Sequence, residues 1–268
     1  MLRSMITATN TLGQLQKQLD LIGNNMANID TQGYKRTQTG FSELLQQQVD
    51  NAGLEDNPAG RSTALGIRSG VGAMVSGQTV FTQGGIKVTN RELDFALTKP
   101  GQFLQVEADG KLQYTRDGGL YLNPAENGQL QLVSSEGHAV LDENQNPIFF
   151  ADNFKNVTLS ADGRLSTVPR NAADFPQSVQ LGVVSVNQQS MLEKQGGNRY
   201  ALNENAPNGT ISFLNPNQIG LQQGALELSN VDLSKEMTEL MVSQRSYQLN
   251  SKSITMGDQM LGLINSVR

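Results

Sequence analysis

Few side chains in this sequence are equipped to make or break bonds, and their spacing suits turns better than reagents. The single histidine, His138, follows Glu136-Gly137 in a turn-forming stretch. One imidazole without companions makes neither a metal centre nor an oriented general base. Cysteine is absent, which removes thiolate nucleophiles, iron–sulfur ligands and cysteine-containing zinc sites. Asp142-Glu143-Asn144-Gln145-Asn146 begins like a calcium loop, but Pro147 stands where the sharp-turn glycine belongs and Asn153 where the bidentate glutamate belongs. Gly70-Val71-Gly72 lacks the third glycine of a dinucleotide fingerprint, and no Walker-type phosphate loop occurs. Asp109, Asp117 and Asp162 each precede a glycine, a pattern that turn geometry explains before acid–base catalysis does. Lys35-Arg36 is an isolated basic pair, too short for a nucleic-acid patch. The sequence therefore predicts no enzyme, no metal site and no cofactor.

Composition points the same way. The chain has 268 residues and a formal net charge of -5, a balance unsuited to a nucleic-acid backbone or an anionic membrane surface. Charged residues make up 17 %, below the roughly 25 % of an ordinary soluble domain. The 24 Asn and 27 Gln fill much of that gap, so amides solvate the surface in place of charges. No stretch approaches the ~18 consecutive apolar residues of a membrane-spanning helix, so no membrane insertion is expected. The start, Met1-Leu2-Arg3-Ser4-Met5-Ile6-Thr7, lacks the unbroken apolar run of a cleaved signal peptide.

The elements that would position any site are clearest at the two ends. Met5, Ala8, Leu12, Leu15, Leu19, Ile22, Met26 and Ile29 alternate spacings of three and four, the a/d seam of a coiled-coil helix. The flanking e and g positions fall on Ser4, Thr9, Thr11, Gln16, Gln18, Gly23 and Asn25, none of them charged. A free two-stranded zipper usually carries Glu and Lys there, so this helix is predicted to be enclosed by neighbours. Leu240, Tyr247, Ile254 and Leu261 recur every seven residues near the other end, with Met237, Met241 and Ile264 widening the stripe. Ser229 and Asp232 resemble a capping box at its start. Pairing the two helices as an antiparallel hairpin is one reading. The other, favoured here, is that both ends are largely disordered in the monomer and fold on assembly, because one seam buries little apolar surface against the entropy of ordering the whole helix.

Between the helices the period changes to two. Leu104-Val106-Ala108, Asp109-Gly110 and Leu112-Tyr114 read as two strands joined by a primed turn. The signal recurs at Asp117-Gly118, Asn127-Gly128, Glu136-Gly137 and Asp162-Gly163, and Val179-Leu181-Val183 offers a further strand. The predicted class is α+β, with long terminal helices of coiled-coil type flanking a central all-β domain. Its expected boundaries are an N-terminal helix over 1–34, a connector over 35–74, an antiparallel β domain over 75–187, a connector over 188–226 and a C-terminal helix over 227–268.

The run Ile22-Gly23-Asn24-Asn25-Met26-Ala27-Asn28-Ile29-Asp30-Thr31-Gln32-Gly33-Tyr34-Lys35-Arg36 resembles the N-terminal signature of the bacterial flagellar rod and hook proteins. The family pattern Asn-Asn-hydrophobic-Ala-Asn, then Thr-x-Gly-Tyr-Lys-Arg, is kept at Asn24, Asn25, Ala27, Asn28, Thr31, Gly33, Tyr34, Lys35 and Arg36. Three further stretches are similar to the same family: Phe81-Thr82-Gln83-Gly84-Gly85 through Leu97, Tyr114-Thr115-Arg116-Asp117-Gly118, and Gln223 through Asp232 running on to Lys252. Lys99-Pro100-Gly101-Gln102-Phe103 departs from the usual Gly-x-Gly-Phe-Phe run.

This resemblance, closest to the distal and proximal rod proteins, implies a structural subunit of the basal-body rod. It implies a helical tube of copies of this chain and of related rod and hook proteins, with terminal helices around the export channel and β domains outside. It also implies delivery by the flagellar type III export apparatus without a cleaved signal peptide, and residence in the basal body. The assembly residues would be Met5, Leu12, Leu15, Leu19, Ile22, Met26, Ile29, Leu240, Tyr247, Ile254, Leu261 and Ile264. Within the signature, Gly33 is expected to end the first helix at positive φ while Asn24, Asn25, Asn28 and Thr31 bond backbone groups near that end. Tyr34, Lys35 and Arg36 are open to a subunit contact. The alternatives are a hook or hook-associated component, or a cell-wall glycan-binding or hydrolase module.

Overall fold

The computed structural model describes residues 2–43, 46–50, 66–70, 73–125, 128–160, 162–170 and 175–266. They form two compact units, one from Met1–Met26, Thr37–Gln78 and Leu233–Arg268, the other from Ala27–Arg36 and Thr79–Asp232. The class is α+β, with one helix near each end and a large β region between. Among the described residues no helix is long and apolar enough to cross a membrane.

The first unit holds helix α1, Leu2–Ala27, and helix α2, Leu233–Ser266. Two short ladders pair Thr37–Glu43 with Ala73–Thr79 and Gln46–Asp50 with Gly66–Gly70. The stretch 35–74, expected as a connector, therefore contains strands. Its turn-rich Asp56-Asn57-Pro58-Ala59-Gly60 lies outside the described residues, as do Val71, Gly72 and Asn127. Both helices are shorter than expected. α1 stops at Ala27 and the chain turns: Thr31 N donates to the Asn28 carbonyl at 3.3 Å and Thr31 Oγ1 to the Asn28 side-chain oxygen at 3.1 Å. Ile29 thus sits in a turn beyond the helix, not on its seam. α2 begins at Leu233 because Ala225–Glu227 is a strand, and Ser229 Oγ accepts from Val231 N within a turn rather than opening the helix.

The second unit is built on a ten-stranded antiparallel sheet centred on Gln102–Ala108 and Lys111–Thr115. Asp109 and Gly110 between them have φ of 54° and 70°, the primed hairpin turn expected there. Strand Gln102–Ala108 is buried on both faces. Leu104 and Val106 enter a core with Phe95, Leu120, Leu132 and Phe150, while Phe103 enters a second core with Phe81, Tyr114 and Tyr200. Phe81, Phe103 and Tyr200 meet edge to face with centroids 5.2–6.0 Å apart. Strands Leu192–Gly196 and Arg199–Leu202 extend this sheet, so the sheet reaches past residue 187 into the expected 188–226 connector. Long-range pairing holds a segment whose local sequence reads as loop.

Asp117-Gly118 is not a hairpin turn. It crosses the strand Phe95–Leu97, where the Gly118 carbonyl accepts from Phe95 N at 2.9 Å, and a Cβ at Gly118 would lie 1.6 Å from the Phe95 carbonyl oxygen. Gly118→Ala should therefore cost about 3 kcal/mol in urea unfolding, since the backbone must move to admit it. Gly110→Ala, where nothing lies within 4 Å of the new methyl, should cost only the left-handed backbone conformation, about 1 kcal/mol.

Candidate assembly interface

The signature residues converge on one buried carboxylate in the β unit. Glu227 ends the strand Ala225–Glu227, and its backbone carbonyl accepts from Gly33 N at 2.9 Å. Its Oε1 accepts from Lys35 Nζ at 2.5 Å and from Gly84 N at 2.9 Å. Its Oε2 accepts from Arg116 Nε at 2.7 Å. Lys35 also donates to the Thr82 carbonyl at 2.8 Å, and Arg116 Nη1 to the Gln102 carbonyl at 2.9 Å. All three side chains are buried. Burial pushes the Lys35 ammonium below its ordinary 10.5, with Glu227 pulling the other way. Burial likewise raises the Tyr200 phenol, whose hydroxyl has no hydrogen-bond partner among the described residues.

A second clasp lies beside it. Asn230 accepts from Arg36 N at 2.7 Å and donates to the Val80 and Thr82 carbonyls at 2.7 and 3.0 Å. Tyr34 is buried under Lys194, whose Nζ stands 4.2 Å from the ring centroid. Tyr34, Lys35 and Arg36, read as open to a subunit contact, are thus buried inside their own chain. Gly33 does have φ of 66°, but six residues beyond the helix end. Its reason is close approach: a Cβ there would lie 2.7 Å from the Arg116 and Asp117 backbone. Sequence reasoning did not single out Arg116, Glu227 and Asn230 as partners. The available signal was that Lys35, Arg116 and Glu227 each fall in a different motif stretch of a chain poor in charges.

In the helical unit, α1 and α2 run antiparallel. Asn25 Nδ2 donates to Glu236 Oε2 at 3.1 Å near one end, and Met5 packs where a Cβ on Gly257 would lie 3.3 Å from its Cγ at the other. Asn25 also exchanges two 2.9 Å hydrogen bonds with the Thr37 backbone. Leu15 and Ile22 are buried, and Met5, Leu12, Leu19 and Met26 half-buried. Asn24 and Ala27 are exposed on the last turn of α1. On α2, Leu240, Ile254 and Leu261 are half-buried, whereas Tyr247 and Ile264 are exposed. The residues α2 buries most deeply are polar or small and spaced by seven: Glu236, Ser243 and Gly257, with Asn250 half-buried. Its second apolar heptad, Val242, Leu249, Met256 and Leu263, points outward at 48–66 % exposure.

Comparison with known proteins bears on this arrangement. Residues 5–35 match the family model of the flagella basal body rod protein. Residues 96–167 match the flagellar hook protein FlgE/F/G D1 domain, and residues 222–267 the flagellar basal body rod FlgEFG protein C-terminal region. The flagellar hook-basal body complex protein FlhP of Bacillus subtilis (strain 168) is 50 % identical over 100 % of both chains. The chain belongs to the flagellar basal-body rod and hook family. FlgG, the flagellar basal-body rod protein, is 33 % identical in Bacillus subtilis over 97 % of each chain, and 32 % identical in Borreliella burgdorferi over 100 % of this chain and 99 % of that one. As a member of this family the chain is a structural rod component of the flagellum. The three matched regions contain Lys35, Arg116 and Glu227 respectively, so the clasp ties together all three segments that carry the family likeness.

Removing Glu227 strands two buried cations. Glu227→Ala should lower the unfolding free energy of the β unit by about 3–5 kcal/mol, and adding Lys35→Met should cost less than the sum of the two single changes. Asp117 provides a pH test. Burial lifts its carboxyl above the ordinary 3.8, against hydrogen bonds from Ser135 and Gly119 N. The folded chain then holds that proton more tightly than the unfolded chain, so this group's contribution to stability falls as pH climbs from 3.8 through the raised value. In equilibrium unfolding, Asp117→Asn should gain on the parent across that window and hold a constant difference above it.

Proposed function

We propose that the chain builds the flagellar rod by stacking with copies of itself and with related axial proteins into a helical tube. The tube encloses the export channel and transmits torque along a stiff wall. The coiled-coil seam of α1 and α2 lies toward the channel, the β units lie outside, and the type III apparatus delivers the subunits. Head-to-tail contacts that do not close on themselves turn one such interface into a filament.

The supporting observation is the outward heptad of α2. A helix whose own pairing buries Glu236, Ser243 and Gly257 while exposing Val242, Leu249, Met256 and Leu263 is turned away from intramolecular packing. A contiguous apolar face of this kind marks a protein–protein contact, here a helix of the next copy. Seam residues Leu15 and Ile22 keep the helical pair together, and the α2 stripe joins subunits.

Leu249→Asp with Leu263→Asp should leave the circular dichroism and unfolding of the purified chain unchanged. The same pair should abolish association on concentration, read by sedimentation velocity and electron microscopy, and exclude the chain from basal bodies. Normal incorporation of the doubly charged variant would sink this reading.

A further inference from the structure

The chain contains no cysteine, so its sulfur is confined to nine methionines. Four of them, Met237, Met241, Met256 and Met260, lie on α2 at 48–54 % exposure. They form two pairs spaced by four, each pair sharing one helix face. Met5, Met26 and Met191 are half-buried. Thioether oxidation needs only access to the sulfur, and exposure therefore ranks the sites.

We propose that Met237, Met241, Met256 and Met260 form an oxidation site that controls docking of α2, converted to methionine sulfoxide by hydrogen peroxide in the unassembled chain. The sulfur lone pair attacks one peroxide oxygen. The O–O bond breaks, an S–O bond forms, and the second oxygen leaves as water after a proton shift. Sulfur loses two electrons and peroxide gains them. The product is a strong acceptor on a side chain that was apolar, and burying it without a donor is unfavourable. Met256 belongs to the outward heptad, and Met241 and Met260 flank it, so three of the four modifications fall on or beside the face that meets the next copy, and Met237 lies one turn before Met241. The inference rests on the docking role proposed above. Sulfoxide reduction restores the thioether, which makes the control reversible before assembly. Burial in the finished rod shields the same sulfurs.

The test uses the full-length chain, treated with graded hydrogen peroxide, mapped by peptide mass spectrometry and then concentrated for sedimentation velocity. The four α2 methionines should acquire oxygen before Met5, Met26 and Met191. The oxidised chain should need about tenfold more protein to associate, and methionine sulfoxide reductases should restore the original value. A variant carrying Met237→Leu, Met241→Leu, Met256→Leu and Met260→Leu should associate identically before and after peroxide. Oxidation of the half-buried methionines at the same rate, or unchanged association of chain fully oxidised at the four positions, would overturn the proposal. Failure of untreated chain to associate at any concentration would instead overturn the docking role, leaving the mass map to decide the oxidation site.

Discussion

A carboxylate taken out of water has to be matched atom by atom, and Glu227 is matched by groups 192 and 111 residues away along the chain, Lys35 and Arg116. The remaining donor on its side chain, Gly84 N, comes from a fourth segment. None of these contacts forms until the segment after α1, the loop at 82–84, the end of the hairpin strand Lys111–Thr115 and the strand Ala225–Glu227 have met. A buried ion cluster of this sort contributes less to stability than its distances suggest, because desolvation offsets much of the attraction. Its effect on specificity is larger. An arrangement that leaves any one of the three charges unmatched is penalised heavily, so the cluster selects against other pairings of these segments within the β unit. Asn230 repeats the device with neutral groups, bonding Arg36 N, Val80 and Thr82 around one amide.

The helical unit follows a different rule. α1 buries an ordinary apolar seam through Leu15 and Ile22, but it meets a face of α2 lined by Glu236, Ser243 and Gly257. Polar and small residues at these levels let the helices approach closely while contributing little apolar burial. Thr11 and Asn250 meet part of their hydrogen-bonding need within their own helices, through the carbonyls of Thr7 and Ser246. One amide at the e and g positions of α1 thereby acquires a reason: Asn25 bonds Glu236. The outer face of α2 keeps its Met, Leu and Val residues. A helix with apolar stripes on more than one side has little net amphipathicity, and it matches a rod subunit that must satisfy neighbours in several directions.

Much of the architecture was legible in the residues. The seven-residue spacing from Met5 to Met26 and from Leu240 to Leu261 announces two helices. Alternation with Asp109-Gly110 announces the hairpin Gln102–Thr115, because these signals are local and set by backbone period and turn chemistry. The signature around Asn24–Arg36 points to the family for the same reason, as a fixed string of side chains. The boundaries were less legible. Local pattern cannot tell that Ile29 falls in a turn past the helix end, or that Leu192–Gly196 is a strand, since its partner Arg199–Leu202 must itself be seated on Lys111–Thr115.

By itself, then, the order of amino acids determined the class of structure, the two terminal helices, the absence of Cys chemistry and the family. Tertiary structure alone decided what the signature side chains do. Lys35 could have faced a neighbouring subunit or its own core, and only the convergence of Arg116, Glu227 and Thr82 turns it inward. It also decided which of the apolar stripes on α2 is left outside. Periodicity fixes how residues group around a helix, but the rotation of that helix against its partner depends on contacts such as Asn25 with Glu236 and Met5 with Gly257, which join residues more than two hundred positions apart.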